Sequence, residues 1–129
     1  MNPQAVNPQR GEVALSLDGR DLALAPSFAL IAELEERLGP LPALLRRLAG
    51  PEWRARELSE LLRLALAHTP GAPAPERREG LLLAAGLARL RPVAAELLLN
   101  ALEGSEALLG QESPGELPGE LARASGGSG

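Results

Sequence analysis

The chain has 129 residues, which suits one modest domain, and Leu and Ala (29 and 22) supply 51 of its 58 apolar side chains. Only four apolar β-branched residues occur (Val6, Val13, Val93, Ile31), beside a single Thr69, which excludes a large β-sandwich or a doubly wound sheet and leaves a mainly helical domain with an aliphatic core. The absence of Cys, the single His and a net charge of −4 exclude disulfides, thiolate zinc sites, thiol nucleophiles, multi-histidine metal sites and a global basic field for nucleic acid.

Residues 1–9 are polar, carry Pro3 and Pro8 and hold no apolar h-region of a secretory signal, so they read as a flexible arm. Residues 10–25 form the one β segment. Val13, Leu15 and Leu17 alternate with polar or small residues, Asp18-Gly19 follows, and Leu22 and Leu24 alternate again. Asp-Gly between alternating runs predicts a two-residue type I′ hairpin with Leu17 opposite Arg20, Leu15 opposite Leu22 and Val13 opposite Leu24. That register gathers the apolar side chains on one face, which a helix must cover.

The rest reads as helices punctuated by Pro and Gly. Ser27 is the N-cap of a first helix whose core stripe is Phe28, Ile31, Leu34 and Leu38, with Leu30 at its edge and Gly39-Pro40 as its stop. A second runs from Pro42, at its first position, to Ala49, with Leu41, Leu44, Leu45 and Leu48 inward and Gly50-Pro51 behind it. A third spans residues 52–68 on a stripe of Leu58, Leu61, Leu62 and Ala65. Residues 69–75 (TPGAPAP) are a stiff linker. Here lies the longest uncharged run, Leu64 to Pro75, broken by Pro and Gly and well short of the roughly 20 apolar residues of a membrane helix. A soluble, cytoplasmic protein is expected.

The fourth helix is predicted over 76–90. From Gly80 to Ala88 it carries no charge, so it lies either at the centre of the bundle or under a partner. Pro92 opens a fifth helix to Glu103, with Val93, Leu97, Leu98 and Ala101 inward. The fold class is therefore mainly α, an N-terminal β-hairpin packed on four or five short helices across 27–103. Residues 10–104 make a single domain. Residues 105–129, with six Gly, a GELPGEL stretch and a terminal SGGSG, read as a disordered tail, apart from a short helix conceivable at 105–109.

Few side chains offer chemistry. His68, at the end of the third helix, reads as a dipole-favoured or carbonyl-capping residue, since no other ligand type clusters with it. Glu33, Glu35 and Glu36 could pair for acid–base work, but Glu33 four residues before Arg37 is the pattern of a solvated, ion-paired face. Arg46, Arg47, Arg54 and Arg56 put four positive charges within 11 residues. They form a small anion contact patch, or Arg46 and Arg47 simply complement a helix C-terminus, which is the favoured reading. Trp53 either clamps the second helix on the third or anchors an interface. No P-loop, GxGxxG or nucleophile elbow occurs, so no catalytic residue, cofactor or metal is assigned.

Two stretches carry a resemblance. Arg10-Gly11-Glu12-Val13 with Leu17-Asp18-Gly19, then Leu24-Ala25-Pro26-Ser27-Phe28 with Ala32-Glu33-Leu34-Glu35, resemble the gp10-like small tail proteins of gene transfer agents, the tail assembly chaperone group of siphophage-like particles. The likeness covers about residues 8–104, with Ala25 where members usually carry a basic residue. It implies a non-enzymatic role in which a chaperone coats the hydrophobic helical tape measure protein until tube subunits polymerise around it. A structural tail tube component is the nearest alternative, and a small helical regulator or adaptor contacting nucleic acid is a poorer one. The implied partners are the tape measure protein, other tail proteins or a second copy, with no nucleic acid and no membrane. Leu81, Leu83, Leu87, Leu97 and Leu99 are the expected partner-binding residues, because helices four and five hold more Leu than one core face can bury. Asp18, Gly19 and Phe28 are the expected structural turn and core residues.

Overall fold

The computed structural model describes residues 6, 7 and 10–103, so most of the arm and all of the 105–129 tail, with its conceivable helix at 105–109, lie outside the described residues. The element order is β1 (Val13–Leu17), β2 (Arg20–Leu24), α1 (Phe28–Leu38), α2 (Leu41–Ala49), α3 (Ala55–Ala67), α4 (Pro75–Ala85) and α5 (Leu87–Glu103). The fold is mainly α, with a two-stranded antiparallel hairpin packed on helices.

Asp18 and Gly19 both take left-handed backbone angles (φ 55° and 72°), as a type I′ turn requires. The register is the one the alternation dictates, with Leu17 opposite Arg20, Leu15 opposite Leu22 and Val13 opposite Leu24. Val13, Leu15, Leu17, Leu22 and Leu24 are all buried. On the outer face the Ser16 hydroxyl donates to Asp21 Oδ1 at 2.8 Å. Helices α4 and α5 pack on β1. The hairpin tip is tied down as well. Arg77 Nη2 meets Asp18 Oδ2 at 3.1 Å, and Arg20 Nη1 donates to the Gly71 carbonyl at 3.1 Å.

Ser27 caps α1, its hydroxyl accepting from the Leu30 N–H at 3.2 Å. Phe28, expected in the core, is instead 84% exposed. The inward direction of α1 is set by Leu30 and Leu34, both buried, with Ile31 and Leu38 half-buried beside them. At about 100° per residue, the side chain of Phe28 leaves the helix far from that direction. The sequence-derived stripe was thus rotated: Leu30 belongs at its centre and Phe28 outside it.

Helix α2 begins at Leu41, so Pro42 occupies its second position rather than its first, a place where a missing N–H costs nothing. Leu41, Leu44 and Leu48 are buried. Helix α3 is shorter than expected at both ends but buries Leu58, Leu61, Leu62 and Ala65 as anticipated, together with Leu64 and Leu66. It packs on α1, α4 and α5.

The largest correction concerns the last two helices. The fourth stops at Ala85, not at 90, and the fifth begins at Leu87, so Pro92 lies inside α5 instead of opening it. Gly86 makes the break at φ 94°, donating to the Leu82 and Leu83 carbonyls at 3.1 Å and accepting from the N–H groups of Arg89 and Leu90. One glycine both ends α4 and caps α5. Pro92 costs the ladder one donor, whose acceptor would be the carbonyl of Ala88, and both residues are exposed. Leu90, Ala94, Leu97 and Leu98 form the inward face of α5. Asn100 Nδ2 reaches back to the Gly11 carbonyl at 3.0 Å and so ties α5 to the start of β1.

Candidate interaction surface

The five leucines expected to meet a partner divide sharply. Leu83 is 58% exposed and Leu99 41% exposed, Leu81 and Leu87 are half-buried against the core, and Leu97 is fully buried. Leu97 is therefore corrected from surface to core. Along α5 the inward positions 90, 94, 97 and 98 turn Leu99 outward, and Leu102, three residues on, follows it at 41% exposure. The i, i+3 spacing of Leu99 and Leu102 is visible in the sequence, but Leu102 was not singled out there. Helix α4 buries a single residue, Leu82. Its uncharged C-terminal half is thus not at the centre of the bundle; it carries an apolar edge facing outward. Phe28 adds the largest exposed apolar side chain, at the other end of the chain.

The four arginines separate in the same way. Arg47 spans two helices, pairing with Glu57 of α3 at 2.9 Å and donating from Nη2 to the Leu38 carbonyl at the end of α1 at 3.2 Å. That is the helix-terminus role expected of the cluster. Arg46 and Arg54, by contrast, line an open cavity of about 600 Å³ with Arg47, Gly50 and Glu52, and neither has an ion pair among the described residues. Arg56 faces a different groove, between α3 and α4. The sequence reading overlooked Arg91. It donates to the carbonyls of Leu48 and Gly50 at 3.2 and 3.1 Å, and its guanidinium lies 5.4 Å from the centre of the Trp53 ring. Trp53 is half-buried and is held by this cation–π contact, so it serves the α2–α5 junction.

His68 stands at the C-cap of α3, where its Nε2 meets Glu33 Oε1 of α1 at 2.9 Å. Glu33 also faces Arg37 at 3.7 Å, Arg37 faces Glu60 at 3.4 Å, and Glu60 pairs with Arg63 at 2.6 Å. Of the residues considered for acid–base work, Glu33 is therefore a link in a solvent-facing ion network joining α1 to α3, while Glu35 accepts from the Leu41 N–H at 3.4 Å and Glu36 lies exposed outside the network. Among the described residues no group of three or more His, Cys, Asp or Glu is placed to hold a metal ion, and no helix is long and apolar enough to cross a membrane.

On this surface the exposed leucines lie on α4 and α5, Arg56 shares a groove with Leu83, and Glu33, Glu57 and Glu60 pair with neighbouring arginines. A family model described as phage tail tube protein, GTA-gp10, matches residues 10–104. No curated protein and no solved structure matches the chain.

Proposed function

The chain belongs to the GTA-gp10 family of phage tail tube proteins, and on that premise we propose that this phage-like tail protein works as an assembly chaperone that holds the tape measure protein while the tail forms. The observation that carries the reading is the exposure of leucines on both α4 and α5, Leu83 at 58% and Leu99 and Leu102 at 41%. Apolar side chains spaced along two helices form the kind of surface on which an amphipathic partner helix lays its own apolar face. The role needs binding and release but no turnover, in keeping with a structural family. Assembly would take place in the cytoplasm.

The test is co-expression with a segment of the cognate tape measure protein and affinity capture, with circular dichroism on every variant. Wild type should co-purify with the segment, and Leu83→Glu and Leu99→Glu should lose it while keeping their helical spectra. Retention of the segment by both variants refutes the proposed surface. The family description itself favours a second reading, a structural component of the tail tube. Purified wild type assembling into tubes by itself, seen by negative-stain electron microscopy, would decide for that reading.

A further inference from the structure

An open groove of about 400 Å³ runs between α3 and α4, with Arg56, Ser59 and Arg63 on one wall and Glu79, Leu83 and Leu87 on the other. Its apolar wall is unfinished, since Leu83 is 58% exposed and Leu87 half-buried. The basic wall is unfinished too. Arg56 has no partner among the described residues. Arg63 donates through Nη2 to Glu60 at 2.6 Å, yet its Nε is buried with no acceptor. Glu60 already neutralises Arg63, and Glu79 lies in the groove without an ion pair to either guanidinium, so Arg56 is the cation with room for an added carboxylate. The groove calls for an occupant that presents leucine and carboxylate together.

The chain itself contains such a segment. Residues 104–129 carry four Glu against the single Arg123, and residues 116–121 read Glu-Leu-Pro-Gly-Glu-Leu. Leu-Pro-Gly-Glu is the sequence of a type II turn, with Pro at the second position and Gly at the third. Such a turn brings the two Glu-Leu pairs side by side. We propose that Glu116–Leu121 of the same chain docks in this groove, with Leu117 and Leu121 on Leu83 and Leu87 and a carboxylate of the turn toward Arg56.

The lengths agree. Helix α5 starts at Leu87 in the groove wall and runs to Glu103, about 24 Å at 1.5 Å per residue. The chain from Glu103 to Glu116 must cover that distance in return. It can span about 43 Å when extended and about 20 Å as a flexible coil, so the return needs only slight extension beyond the coil's average span and lies well inside its reach. The larger cavity at Arg46 and Arg54 is the competing dock, but the residues around it include no leucine. Its apolar lining is confined to the small Ala43 and Pro51 side chains, with no leucine for Leu117 and Leu121 to meet. A docked tail would cover Leu83, so a partner helix bound there would have to displace it. The docking nevertheless stands or falls without reference to any tail partner.

Because the chain has no Cys, a nitroxide on Ala122→Cys is the sole label in the full-length protein. In a ¹⁵N-labelled sample, the amide signals of Arg56, Ser59, Leu83 and Leu87 should lose most of their intensity relative to the reduced label. Leu117→Ser with Leu121→Ser, which leaves the folded residues untouched, should restore them, and Arg56→Gln should restore them in part. Three results overturn the proposal. One is broadening centred on Ala43, Arg46 and Gly50 instead, and a second is attenuation with no regional maximum. The third is broadening that disappears when labelled chains are diluted into excess unlabelled chains, which would assign the contact to a second copy.

Discussion

Phe28 and Leu30 sit two residues apart on α1, one 84% and the other 1% exposed, so truncating each to Ala tests the rotation of that helix directly. Removing a buried Phe costs about 3–5 kcal/mol. Scaled to the small fraction of Phe28 that is covered, the loss falls to about 0.5–0.8 kcal/mol, and the better helix propensity of Ala offsets a few tenths of that. Phe28→Ala should therefore destabilise by less than about 1 kcal/mol. Leu30→Ala removes a fully packed side chain and should cost about 2–5 kcal/mol, a large share of a domain's total stability of about 5–15 kcal/mol. The assay is urea unfolding followed by far-ultraviolet circular dichroism, with m-values compared so that a change in midpoint is a change in stability. Repeating it at two protein concentrations separates self-association through Phe28 from folding. A cost above 2 kcal/mol for Phe28→Ala, or below 1 kcal/mol for Leu30→Ala, would mean that α1 presents its other face to the core.

Gly19→Val should destabilise by about 1–2 kcal/mol through backbone strain, because φ is +72° and no atom lies within 4 Å of the added Cβ; thermal unfolding measures it. Arg91→Ala should cost about 1–3 kcal/mol by leaving the Leu48 and Gly50 carbonyls without their donor, while Arg89→Ala, at an exposed position with no ion pair among the described residues, should be near neutral in the same unfolding experiment. His68→Ala should cost less than about 1 kcal/mol, since the pair with Glu33 is partly solvated and Glu33 keeps Arg37. Metal analysis should find no stoichiometric metal in the native protein, and a bound metal lost on His68→Ala would refute the structural reading of this residue.

The parts legible in the sequence were those fixed by local stereochemistry. Asp18-Gly19 can satisfy a type I′ turn, period-two alternation then sets the register, and Ser27, Gly39 and Gly50 mark helix ends whatever surrounds them. The rotation of a helix about its axis was harder to read, because in a chain so rich in Leu and Ala several stripes score alike. Phe28 drew the stripe toward itself by size, although its place at the first position of α1 takes it off the core face. Similarly, Gly86 in a Leu-Ala run looked like a tolerated helix interior, and Pro92 looked like a helix start. Only the tertiary requirement that both Leu82 and Leu90 be buried reverses the two. Among the candidate contact residues, Leu83 and Leu99 could be picked out from an excess of leucine over core capacity. Leu97 could not be separated from them without knowing which way α5 faces.

The same composition explains why the polar contacts fall where they do. A core made almost wholly of Leu is well buried but weakly specified, because leucine layers can slide or rotate past one another at little cost. This bundle adds directional contacts at several junctions. Arg47 joins α2 to the end of α1 and to Glu57 of α3, and Arg91 joins α5 to the end of α2. Asn100 joins α5 to Gly11, and Arg77 joins α4 to the hairpin turn at Asp18. Three of the four connect elements far apart in sequence, so each fixes a register that leucine packing alone leaves degenerate. The contacts of Arg47, Arg91 and Asn100 on backbone carbonyls also occupy acceptors at helix ends and turns that would otherwise need water. Removing one should loosen the junction before it unfolds the domain. Early amide exchange in α5 of the Arg91→Ala protein, ahead of α3, is the signature that separates lost specification from lost burial.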